Sequence, residues 1–86
     1  MNKRKLLKKL ENSQKNVRYS DFVSLIEAFG FEHDRIKGSH AMYKHTGIPK
    51  IMNIQDDKGQ AKPYQIRQFL QLIKNYNLKL ESEDND

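Results

Sequence analysis

Residues 31–55, FEHDRIKGSHAMYKHTGIPKIMNIQ, decide the fold. The 3.6-residue recurrence of apolar side chains that marks a helix is missing here, and short extended segments remain at about 31–37, 39–45 and 50–55. Gly38 separates the first two, and Thr46-Gly47-Ile48-Pro49 reads as a hairpin turn before the third. Along the middle segment the pleat sends Ser39, Ala41 and Tyr43 to one face and His40, Met42 and Lys44 to the other. The second set is expected to face solvent, while His45, at the strand's end, has the parity of Tyr43. In the third segment Met52 and Ile54 are expected inward, and Ile51, Asn53 and Gln55 outward. The first segment alternates poorly, because Phe31, His33 and Arg35 share a parity and Ile36 takes the other. A β-bulge near Asp34 or Gly38 would repair it.

The flanks are helical. Ser20 suits an N-cap, Asp21 complements the helix dipole, and Phe22, Leu25, Ile26 and Phe29 follow the spacing of a buried helical face. Gly30 is the expected terminator, with Phe31 folding back over the last turn. Beyond the polar turn Asp56-Asp57-Lys58-Gly59, Pro63 opens a second helix with Ile66, Phe69, Leu70 and Ile73 on its core face and Tyr76 extending it. The expectation is therefore an α+β domain of order α-β-β-β-α, a three-stranded antiparallel sheet with two helices on one face and the other face open. It occupies residues 19–78. Residues 1–18 form a basic helical extension in which Leu6, Leu7 and Leu10 make one apolar stripe, and residues 79–86 form an acidic tail expected to be disordered.

A chain of 86 residues makes one small domain, without room for a large enclosed cavity. It has no cysteine, which removes disulfides, thiolate metal sites and a cysteine nucleophile together. No apolar run approaches the roughly 18 residues of a membrane span, so a soluble cytoplasmic protein is expected. All 16 basic residues but only seven of the 11 acids lie in residues 1–80, giving that part a charge of +9. Such a surface favours a polyanionic partner, of which nucleic acid is the commonest.

The densest chemistry lies in Arg35–His45. Gly38 tolerates positive φ and lets the N–H groups of Ser39 and His40 approach an anion, with Lys37, Arg35 and Lys44 adding charge around it. Tyr43 is either a base-stacking ring or, by its parity with Ala41, a core residue. His40 is the side chain suited to proton transfer near neutral pH. Adjacent strand residues point to opposite faces, so Ser39 and His40 do not make a nucleophile and base pair. His33, His40 and His45 lack the spacing of a metal site, and neither metal nor cofactor is expected. RNA cleavage needs a base for the 2′-hydroxyl, cations for the phosphorane and an acid for the leaving oxygen, and one histidine with lysines can supply a slow version. The same surface would also serve a non-catalytic RNA-binding module or a protein-interaction module.

The pattern Arg35-x-Lys37-Gly38-Ser39-His40-x-x-Tyr43-x-His45, set between a helix ending in Gly30-Phe31 and a following strand and helix, resembles the HicA family of toxin messenger-RNA interferases. The resemblance spans about residues 19–76. It implies a fold like the double-stranded RNA-binding domain, cleavage of messenger RNA without a required metal, and inhibition by a HicB antitoxin. It also implies that His40 is the catalytic residue. The chain departs from the family where Pro-Asp-Gly is usual in the hairpin, and it has Asn53-Ile54-Gln55-Asp56 in place of a Val-Pro-x-His run. Pro63-Tyr64-Gln65-Ile66 likewise replaces a Gly-Thr-Leu helix start.

Overall fold

The computed structural model describes residues 2–81 and runs α1 (Lys3–Asn12), α2 (Tyr19–Ala28), β1 (Glu32–Lys37), β2 (His40–His45), β3 (Ile48–Asp57), β4 (Gln60–Ala61) and α3 (Pro63–Tyr76). The strands form one antiparallel sheet in the order β1-β2-β3-β4. The α+β architecture is the expected one, but with four strands rather than three. In the polar run Asp56-Asp57-Lys58-Gly59 the two aspartates belong to strand β3, and Lys58 and Gly59 make the turn. Both have positive φ, 54° and 87°, as a tight two-residue hairpin loop demands, and Asp56 Oδ1 accepts the Gly59 N–H at 2.6 Å.

Helix α2 buries Phe22, Leu25 and Ile26, the expected stripe. Its start differs from expectation, because Ser20 lies inside the first turn and Arg18 is the N-cap, without a side-chain cap bond. The short β3–β4 hairpin supplies the missing acceptor: Tyr19 N–H donates to Gly59 O at 2.9 Å, and Ala61 N–H reaches Val17 O at 2.8 Å. The other end stops as expected. Gly30, at φ 93°, donates to Glu27 O while Phe31 N–H reaches back to Ile26 O, the paired bonds that close a helix through a left-handed glycine.

All three helices contribute to the core on one side of the sheet. From α3, Ile66 and Phe69 are buried and Leu70 and Ile73 partly so, whereas Tyr76 is exposed and does not extend the core. The Phe69 ring meets the rings of Phe22 and Phe29 edge-on at 5.6 Å and that of Phe31 at 6.0 Å. Leu6 and Leu10 of α1 and Val17 after it join the same cluster, so the basic first helix is docked. Burying two leucines is worth about 1.5–3 kcal/mol each. Leu78 and Leu80 also pack on the core, and Glu81 N–H donates to Ala28 O. The acidic residues from Ser82 onward lie outside the described residues. No helix among the described residues is long and apolar enough to cross a membrane.

The bulge falls at Asp34, where the register advances two residues on β1 (His33 to Arg35) for one on β2 (Tyr43 to Met42). It turns Arg35 to the open face with Met42 and leaves His33 opposite Tyr43. A second irregularity follows Tyr43, opposite Pro49, which has no N–H to give the ladder.

Candidate functional site

The open face of the sheet carries most of the candidate side chains. Pairing sets Lys37 opposite His40 and His40 opposite Gln55, with Arg35, Met42 and Asn53 forming the next row. Lys37, His40, Met42 and Asn53 line a shallow hollow there. His40 is half-exposed, and its Nδ1 lies 3.1 Å from Asn53 Oδ1. Asn53 is a diagonal neighbour, two residues along β3 from the residue facing His40, and a long side chain reaches across that separation.

Gly38 and Ser39 make the two-residue tip of the β1–β2 hairpin. Gly38 has φ 63°, and a Cβ there would meet nothing within 4 Å, so the backbone angle rather than space calls for glycine. Ser39 Oγ accepts a hydrogen bond from Gln55 Nε2 at 2.9 Å. Gln55 is itself held from behind, since its N–H donates to Oε1 of Gln65, a fully buried side chain in the first turn of α3. A line of polar contacts thus runs from α3 through β3 to the hairpin tip beside His40. In an exposed site this gives the loop a fixed footing.

The cations are not equivalent. Asp34, displaced outward by the bulge, pairs with Arg35 and lies 3.6 Å from Lys44 Nζ. Lys37 makes no ion pair among the described residues, which leaves it the most available positive charge beside His40. Exposed pairs of this kind are weak, about 0–1 kcal/mol, so a polyanion can compete with Asp34 for Arg35 and Lys44.

Tyr43 does not join the site. Its ring is 5% exposed, on the helix side of the sheet, and touches His33 edge-on at 5.4 Å. Burial, then the neighbouring Glu27 carboxylate and the Tyr19 phenol, hold its hydroxyl above the ordinary tyrosine pKa. His45 is likewise a packing residue: its ring lies edge-on to Phe31 at 5.0 Å, Nε2 is 3.1 Å from Phe29 O, and Nδ1 accepts the Gly47 N–H at 2.9 Å. Glu81 stands 3.7 Å from the same Nε2. The three histidines therefore diverge, and among the described residues no three His, Asp or Glu side chains gather as metal ligands would.

Sequence reasoning put Asn53 on the open face but missed its contact with His40, and it missed Asp34 as the partner of Arg35 and Lys44. The spacing of β3 relative to β2 held the first signal, because once Tyr43 is set against Met52 the position of Asn53 follows. The bulge held the second.

Residues 19–74 match the family model for the HicA toxin of bacterial toxin-antitoxin systems. The match begins at the first residue of α2 and ends within α3, leaving α1 outside it. Comparison with curated proteins and with solved structures gives no match.

Proposed function

Because the chain belongs to the HicA toxin family, whose members act within bacterial toxin-antitoxin systems with an antitoxin as partner, we propose that it is an endoribonuclease that cleaves messenger RNA with His40 as the general acid and base. The observation that carries this reading is the position of His40: half-exposed on the open sheet face at the start of β2, beside the Gly38-Ser39 tip, opposite Lys37 and away from the core. In the proposed reaction the imidazole takes the proton of a 2′-hydroxyl, O2′ bonds to the adjacent phosphorus, and the bond from phosphorus to O5′ breaks. The proton returns from the imidazolium to O5′, so the step balances without a metal or redox partner. The Lys37 ammonium offsets the charge that builds on the phosphorane oxygens. Arg35 and Lys44 bind neighbouring phosphates after leaving Asp34, and the Gly38-Ser39 tip lets backbone N–H groups approach the strand.

A HicB-type antitoxin is proposed to neutralise the toxin by covering this face. An acidic contact surface on the antitoxin would speed association with the cationic face and block RNA at the same time. The test is incubation of the purified protein with RNA in the presence of a metal chelator. Cleavage that disappears in His40→Ala supports the reading. RNA that is bound but never cut by the wild type points instead to a non-catalytic RNA-binding module.

A further inference from the structure

The two histidines of β2 are held in hydrogen bonds that specify different tautomers. At His45 a backbone N–H, which can only donate, points at Nδ1, so the proton of the neutral ring sits on Nε2, facing Phe29 O. At His40 the partner of Nδ1 is an amide oxygen, Asn53 Oδ1, which can only accept. Nδ1 must then carry the proton. A neutral imidazole has one N–H, so Nε2 keeps its lone pair, and among the described residues it has no hydrogen-bond partner.

We propose that Asn53 is a positioning residue for the nuclease reaction, holding His40 in the Nδ1–H tautomer and aiming Nε2 at the substrate's 2′-hydroxyl. The inference rests on His40 being the general base. The base-orienting arrangement is the one that a third group provides in catalytic triads, here supplied by a neutral amide. Neutrality has a consequence. A carboxylate in this place would favour the imidazolium, which cannot accept a proton, whereas an amide oxygen fixes the tautomer without adding charge. His40, Asn53 and Lys37 then divide the work, as base, as holder of the base, and as counter-charge for the phosphate.

Side-chain ¹⁵N NMR of the wild-type protein tests this without reference to activity, and His45 serves as the internal reference for the Nε2–H form. The expected result for the neutral ring is an Nδ1–H signature for His40 that is lost in Asn53→Ala. Cleavage by N53A is expected to fall about 10- to 100-fold, the scale on which loss of orientation acts, with KM unchanged. In Asn53→Asp the ascending limb of the pH–rate profile moves to higher pH by about one unit, because the added carboxylate favours the imidazolium, whereas the tautomer signature in Asn53→Ala is the readout that a purely structural role for Asn53 would leave unchanged. An Nε2–H signature for wild-type His40, or an N53A spectrum identical to wild type, would overturn the proposal. If the wild type fails to cleave RNA, the nuclease reading falls, while the tautomer measurement still decides whether Asn53 sets the proton on His40.

Discussion

One sheet presents two faces, and β2 puts a histidine on each. His45 is pressed against Phe31 and bonded to Phe29 O, so its ring finishes the seam between helix α2 and the sheet. The ring of His40, five residues earlier in the same strand, is bonded to Asn53 through one nitrogen and leaves the other for something outside. The residue type is the same, and the difference comes from pleat parity. On the covered face imidazole acts as a shaped, hydrogen-bonded piece of core, and on the open face it keeps reactive capacity. Interchanging those roles by mutation should not be possible, and the variants below are ways to expose that asymmetry.

The largest stability effect is expected where the cover itself is weakened. Leu10→Ala removes a fully buried side chain by which α1 joins the core, and should cost about 2–5 kcal/mol in denaturant unfolding. The residues outside the family match would thereby prove to be part of the folding unit. A loss below about 0.5 kcal/mol would mean that α1 is dispensable. His45→Ala comes next, at about 1–3 kcal/mol, because the buried Phe29 carbonyl loses its donor.

Much of the covered face was legible in the sequence, since helical stripes and strand parity are local periodicities. The stripe Phe22, Leu25, Ile26, the Gly30 stop and the inward pair Met52, Ile54 follow from spacing alone, whereas Tyr43, read as either base-stacking or core, is settled as core by its burial. What was not legible depends on tertiary partners. Asp56-Asp57 looks like loop because both residues are poor strand formers, yet pairing with Gln60-Ala61 and the left-handed Lys58-Gly59 turn make it strand. Ser20 looks like a cap, and it is displaced because the chain beside it, at Gly59, offers Tyr19 an acceptor. On the open face the position of His40 was readable, but its hydrogen bond to Asn53 required the register between β2 and β3.

Smaller effects are expected from charge on the open face. If Lys37 and the two cations near Asp34 contact phosphates of single-stranded RNA, Lys37→Ala should reduce the magnitude of the slope of log K against log salt by about 0.7. Asp34→Asn should tighten RNA binding, because Arg35 and Lys44 no longer have to leave a carboxylate. Fluorescence titrations over a salt series check both, and an unchanged slope in Lys37→Ala would remove that residue from the RNA contact.

The smallest effect concerns two phenols. Tyr19 and Tyr43 have raised pKa values, in each case through burial first and then nearby groups, Asp56 for Tyr19 and Glu27 followed by Tyr19 for Tyr43. The folded state therefore holds these protons more firmly than the unfolded chain. Their contribution is fully present below the ordinary tyrosine value of about 10 and declines as pH rises through the higher folded-state values. Unfolding followed from pH 9 upward should show an alkaline fall that is shallower in Tyr43→Phe.

The most direct test of the central claim is one assay on both histidines. The rate of cleavage of a defined RNA, with a metal chelator present and normalised to the concentration of folded protein, is measured for wild type, His40→Ala and His45→Ala. The account predicts that His40→Ala loses about 10²- to 10⁴-fold in rate while remaining as stable as wild type, and that His45→Ala, though less stable, cuts at the wild-type rate per folded molecule. Retained cleavage in a pure preparation of His40→Ala, or equal loss in both variants, would contradict it.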